Sequence, residues 1–281
     1  MTWIEDATQV VIDGLERHPE LPGYSRLPAE AVHAVRQIEE AYGSKHRAAL
    51  LRRVLARCMS NTLQAQRFLA LPEGIKALTR KEFSRIEAAL HTSPDDSYSL
   101  SSDLYLKDLA LACMRLIAAG ARLLDCSSGV PRSLIWRGGY RQGLRALRQF
   151  LWETHGFKPF YQAHVHLSSL EDFSVDGWIR MFRLIADLFA GDERARGFFG
   201  AAWLYDPALD TVSPHLSYMR RFALERGAQL YYYEDDTLGR SGALSKSRTR
   251  RALFEKHCYV PRIYYLVWAR TSLMRWAREG Q

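Results

Sequence analysis

Apolar positions recur with a helical period through the first half of the chain and give way to short apolar runs in the second. Over residues 29–42, Val32, Val35 and Ile38 share one face, with Pro28 placed to open the helix and Gly43 to close it. Ser44 caps a longer run to about residue 71, in which Leu50, Leu51, Val54, Leu55, Cys58 and Met59 keep helical spacing. Thr79-Arg-Lys-Glu82 reads as a capping box opening a third helix through residue 90. Residues 104–119 are apolar around most of their circumference, the pattern of a helix at the centre of a bundle. A last helix covers residues 140–154 and stops at His155-Gly156.

Beyond Gly156 the period alternates. Residues 160–167, 197–204, 229–233 and 263–268 read as strands. Between and after them lie a Ser174-capped helix over 178–189, a helix opened by Ser213-Pro214 that ends at Gly227, a basic helix capped by Ser245 or Ser247, and a terminal helix capped by Thr271. The expected fold class is α+β: a helical N-terminal part, 1–155, packed on a C-terminal α/β domain, 156–281, with a mixed sheet.

Composition narrows the classes. A chain of 281 residues with 47% hydrophobic and 12% aromatic content can bury a sizeable core. The opening Met-Thr-Trp-Ile-Glu-Asp lacks a basic leader, and no window approaches the roughly 18 apolar residues of a membrane span, so the expectation is a cytoplasmic protein. Cys58, Cys113, Cys126 and Cys258 are too widely spaced for a zinc knuckle or a disulfide framework. The net charge of +8 permits an anionic partner. The arginines are interleaved with acids instead of forming a stripe, so nucleic acid is not expected and the phosphate of a small cofactor is preferred. No Gly-x-Gly-x-x-Gly, Walker A or Gly-x-Ser-x-Gly sequence occurs.

Candidate chemistry gathers in the second half. His164 and His166 are two apart on an expected strand and so point to one face. That geometry suits a general base, since imidazole titrates near neutrality. It equally suits two ligands of one zinc or iron ion, with Asp206 as the third and Glu171 or His215 as further donors. Asp206 closes the apolar run Trp203-Leu-Tyr-Asp206, at a strand end where α/β proteins keep ligand-contacting groups. It could orient the imidazole, act as the base itself, or simply start a turn at Pro207. Arg248, Arg250 and Arg251 crowd a helix start, where they oppose the dipole unless an anion is present.

The order strand, helix, strand, helix, strand, helix, strand over 157–268 resembles the GCN5-related N-acetyltransferase fold. Val212-Ser-Pro214, the following helix and Gly227-Ala-Gln-Leu-Tyr-Tyr match one of its segments, and Leu253-Phe-Glu-Lys-His-Cys-Tyr259 matches a late one. The resemblance implies transfer of an acyl group from acyl-coenzyme A, or another acyl thioester, to an amine or hydroxyl of a small molecule in a biosynthetic pathway. An acyl carrier is a further possible partner. It implies His164 or His166 as base with Asp206, and cofactor contacts from Ser213, His215, Ser217, Arg220, Arg248 and Arg251. Two departures stand out: His215-Leu-Ser-Tyr-Met-Arg220 lacks the family's glycine-rich turn, and Phe254 replaces its tyrosine. The alternatives are a metal-dependent oxygenase or hydrolase on the His-x-His pair, and a non-catalytic binding protein on a degenerate acetyltransferase fold.

Overall fold

Pro and Gly punctuation divides the first 112 residues into six helices: α1 (Thr2–Arg17), α2 (Ala29–Tyr42), α3 (Ser44–Gln64), α4 (Gln66–Leu69), α5 (Glu73–Thr92) and α6 (Asp103–Ala112). The computed structural model describes residues 2–18, 21, 23–165, 167–245 and 247–279, with the side chains of 2 and 167–169 set aside. Val35 and Ile38 of α2 and the apolar stripe anticipated on α3 are buried with Val11, Ile12 and Leu15 of α1 and Leu109 of α6 in one cluster, while Val32 is half-buried. Such burial is the main favourable term, about 1.5–3 kcal/mol per large aliphatic side chain.

Several boundaries differ from expectation. Ala65 is extended, which splits the 44–71 run into α3 and α4. Pro72 caps α5, which starts at Glu73, six residues before Thr79, and the Thr79 hydroxyl donates to the Ile75 carbonyl at 2.9 Å within that helix instead of capping it. Glu82 faces Arg85, whose guanidinium also pairs with Asp108 of α6.

The larger correction concerns residues 104–119. The helix ends at Ala112, Met114 takes a positive φ of 54°, and two strands follow, β1 (Leu116–Ala119) and β2 (Arg122–Ser128). Gly120, at φ 65°, sits in the tight connection between them. An apolar run of this length fits a buried strand as well as a buried helix, and the flanking glycine decides.

The chain forms two compact units. One comprises residues 1–119 and 123–127, the other residues 120–122 and 128–281. The change of period at Gly156 falls inside the second. Its elements are α7 (Leu134–Arg137), α8 (Gly139–Arg148) with a π-helical turn at Gln149–Glu153, β3 (Phe160–Val165), α9 (Val175–Gly191), β4 (Gly197–Ala202), α10 (Leu209–Val212), α11 (Tyr218–Leu224), β5 (Gln229–Asp235), α12 (Arg248–Glu255), β6 (Arg262–Ala269) and α13 (Arg270–Glu279). The single helix expected over 213–225 is instead a 3-10 turn at Pro214–Leu216 followed by α11, with α10 just before it. Val212 therefore ends a helical turn and not a strand.

Within this unit the strand order is β3-β4-β6-β5. β3 and β4 run parallel, with α9 as the crossover. β6 is inserted antiparallel between β4 and β5, so the sheet is mixed and the class α+β. One face packs Phe160, Phe199, Tyr231 and Val267 on Ala146 and Phe150. The other carries Phe198 and Trp268 against Phe182 of α9, Phe222 of α11 and Trp276 of α13, with ring centroids 4.9–5.9 Å apart around Phe182 and 5.3 Å between Phe222 and Trp276. Among the described residues no helix is long and apolar enough to cross a membrane.

Candidate functional site

Because β3 and β4 are parallel neighbours and β6 reverses direction, the carboxyl ends of β3 and β4 open at a switch in topology, the position where α/β sheets leave a crevice. The chain leaves β3 at Val165, passes through a 3-10 helix at Leu167–Asp172 and enters α9, where the Ser174 hydroxyl accepts from the Gly177 amide at 3.1 Å. Phe173, one residue before that cap, packs its ring on Trp178 in the first turn, with centroids 6.3 Å apart. This hydrophobic staple fixes the angle at which the helix begins. Gly177 is required here, since a Cβ would lie 2.0 Å from the Asp172 carbonyl oxygen.

Arg122, the first residue of β2, lies against this helix start. Its guanidinium carbon is 4.9 Å from the Phe173 ring centroid and 5.2 Å from that of Trp178. The residue is 2% exposed, and among the described residues its Nε and Nη2 have no hydrogen-bond partner. Burial pushes the guanidinium below the usual arginine range, opposed by the nearby phenols of Tyr205 and Tyr218. Burial in turn raises both tyrosines, and Arg122 pulls them back. The Tyr218 hydroxyl is likewise buried without a partner among the described residues. Tyr205 fits because position 200 is glycine: a Cβ there would lie 2.3 Å from its hydroxyl. Cation–π contact offsets part of the cost of this burial, and among the described residues no carboxylate forms an ion pair with it. The ensemble is a buried cation packed among aromatic rings beside a helix N-terminus, a combination of charge and dipole that favours an anion. Asp176 sits in the same first turn and competes for the dipole.

A second polar cluster lies at the end of β4. Asp206 is 1% exposed and accepts two backbone amides, Ala208 at 2.9 Å and Arg262 at 3.2 Å. It thereby ties the turn after β4 to the start of β6. Burial raises its carboxyl, and the two amides and Arg262 pull it down. Arg250 is buried over the Trp203 ring at 4.6 Å and donates to the Ala243 carbonyl at 2.6 Å and the Ser213 hydroxyl at 2.8 Å. Tyr259 is buried with its hydroxyl unpartnered among the described residues, and burial pushes it up to about 12.

The anticipated residues divide accordingly. His164 is partly buried, second from the end of β3, while His166 lies outside the described residues. Ser213 is buried under Arg250, and Arg220 is buried and donates to Asp210 at 2.7 Å. His215, Arg248 and Arg251 are exposed, and the Ser217 hydroxyl donates to the Pro214 carbonyl. The run 213–220 thus closes on itself, and its longest helix has seven residues. Among the described residues no three His, Cys, Asp or Glu side chains converge as metal ligands. Sequence reasoning missed Arg122 and Tyr259, and it read Arg250 as part of an anion-facing run where the structure buries it on Ala243 and Ser213. For Arg122 a signal existed: it is the lone charge in the apolar run Leu116-Ile-Ala-Ala-Gly-Ala-Arg-Leu-Leu124.

The chain matches no protein family and no curated protein. Among solved structures it is similar to an acyltransferase crystallised in complex with decanoyl-CoA, with a TM-score of 0.43 and 14% sequence identity, over 94% of this chain and 75% of that one.

Proposed function

We propose that the second unit is an acyltransferase of the GCN5-related N-acetyltransferase type. It moves an acyl group from acyl-coenzyme A, or a thioester on an acyl carrier, to an amine or hydroxyl of a small molecule in a biosynthetic pathway. The observation that carries the reading is Arg122: a buried guanidinium whose Nε and Nη2 have no hydrogen-bond partner among the described residues, set against the Ser174-capped start of α9 after the carboxyl end of β3. A buried unpaired cation costs several kcal/mol, and an anionic ligand would offset that cost. The phosphates of coenzyme A, or of the phosphopantetheine arm of a carrier, supply the anion.

His164, near the end of the same strand, is the general base. It takes the proton of the attacking amine or hydroxyl as that atom bonds to the thioester carbonyl carbon. The carbon–sulfur bond then breaks and the thiolate leaves. With both its oxygens on backbone amides, Asp206 serves as the anchor that holds the start of β6 beside β4. Native mass spectrometry with acetyl-coenzyme A, together with a thiol-release assay over a panel of amines, tests the proposal. Wild type should take up the thioester, His164→Ala should bind it without turnover, and Arg122→Met should fail to bind. A wild-type chain that takes up no coenzyme A thioester at millimolar concentration would sink the reading.

A further inference from the structure

Residues 130–153 contain five arginines and a single acidic residue, Glu153 at the far end. They include α7, α8 and the π-helical turn that follows. The underside of this ridge is fixed to the edge strand β5. The Gln142 side chain donates to the Tyr232 carbonyl at 2.9 Å and accepts its amide at 2.8 Å, and the Tyr231 hydroxyl donates to Gln149 at 2.6 Å. Gly143 lets the Ile135 carbonyl approach, since a Cβ there would lie 2.4 Å from that oxygen. With Gln142, Ala146, Gln149 and Phe150 committed inward, the opposite face has nothing in this unit to cover it.

That outer face is apolar and basic together. Trp136, Tyr140, Leu144, Leu151 and Trp152 are each more than half exposed, Tyr140 the most at 74%. Beside them lie the exposed Arg141, Arg145 and Arg148. Arg137 shares Glu234 at 3.2 Å, and Arg145 reaches the Leu230 carbonyl at 3.4 Å, so the basic arc lies along the edge strand next to the apolar stripe. Soluble proteins seldom leave so many large apolar side chains contiguous and exposed. A helix with Trp and Leu along one line and arginines beside it is the pattern of an interfacial helix.

We propose that this ridge docks the protein on an anionic bilayer surface, the aromatic and leucine side chains entering the headgroup boundary and the arginines contacting lipid phosphates. Charge complementarity selects the occupant. A second copy placed on a two-fold axis would set arginine stripe against arginine stripe. Protruding side chains suit a lipid interface, which deforms around them and needs no pockets matched to anchors. The inference is independent of the chemistry proposed above, because no residue of the ridge belongs to the Arg122 cluster.

The test is flotation of the full chain with phosphatidylcholine vesicles and with vesicles in which a third of the lipid is phosphatidylglycerol, at low and high salt. Binding should require the anionic lipid and weaken with salt. It should fall about fivefold for each arginine removed, about 25-fold for Arg141→Ala with Arg148→Ala. Leu144→Glu should abolish it while leaving thermal stability and coenzyme A uptake unchanged. If that variant misfolds, quenching of wild-type tryptophan fluorescence by brominated lipid decides, since insertion brings Trp136 and Trp152 within reach of bromine. Equal binding to both vesicle types would overturn the proposal. So would absence of quenching, or a concentration-dependent dimer that Leu144→Glu dissolves.

Discussion

Replacing Arg122 by methionine separates a site held open for a ligand from a residue that supports the fold. Methionine has comparable reach and no charge, and its sulfur keeps a favourable contact with the Phe173 and Trp178 rings, about 0.3–1.5 kcal/mol. In wild type the buried guanidinium carries a desolvation cost of several kcal/mol, with Nε and Nη2 unpartnered among the described residues. Two cation–π contacts return about 0.5–2 kcal/mol each. The balance is unfavourable by about 1–3 kcal/mol, so Arg122→Met should be more stable than wild type without ligand, by about 2–4 °C in Tm per kcal/mol. Ligand inverts the order. At a hundredfold excess over Kd, acetyl-coenzyme A should stabilise wild type by about 2.7 kcal/mol and leave the variant unmoved. Thermal melts of both proteins, with and without the thioester, read all four values. Arg122→Lys keeps the charge and loses the planar fork, so it should remain less stable than the methionine variant. The reasoning is refuted if Arg122→Met melts below wild type without ligand and the thioester shifts both proteins equally, for the guanidinium would then be a structural contact.

Three further outcomes follow from the packing. Gly177→Ala forces a Cβ to within 2.0 Å of the Asp172 carbonyl oxygen, which must move the start of α9; a loss of about 1–3 kcal/mol in a urea melt is expected, together with weakened thioester uptake. Arg85→Met removes the guanidinium shared by the buried carboxylates of Glu82 and Asp108, so about 3–5 kcal/mol should be lost in a urea melt at neutral pH; a variant as stable as wild type would contradict this. Tyr259 is held neutral by burial up to about 12, above its ordinary value of 10.0. The unfolded chain then ionises first, so stability is unaffected below pH 10 and falls as pH rises above it. Tyr259→Phe, which removes a buried hydroxyl with no partner among the described residues, should raise the alkaline unfolding midpoint and add about 1 kcal/mol near neutrality; an unchanged midpoint would show that the hydroxyl is hydrated.

How much of this was legible in the chain depends on the range over which each feature is determined. The stripes of α2 and α3 and the Ser174 cap of α9 are local, set by spacing and one hydroxyl, and they stand where the periodicity puts them. The hairpin β1–β2 was hidden because an apolar run satisfies helix and strand alike, and only Gly120 and the turn at Met114 separate the two. The Ser213-Pro214 pair misled for a related reason. A cap and a proline signal that a helix begins, but neither says how long it continues, and here the chain stops after one 3-10 turn because Ser213 is taken by Arg250, 37 residues away. The candidate site obeys the same rule. His164 and Asp206 are visible as residue types at strand ends, yet the function of a carboxylate is set by its partners, and those of Asp206 are amides, including one 56 residues on. Arg122 shows the converse. Nothing in its neighbours identifies a binding residue, but a single charge in nine otherwise uncharged positions has to be solvated, paired or exposed. The fold denies it the first and third, and supplies two rings and two phenols in place of the second. A charge placed where folding gains nothing from it is better explained by what binds there than by what holds the chain together.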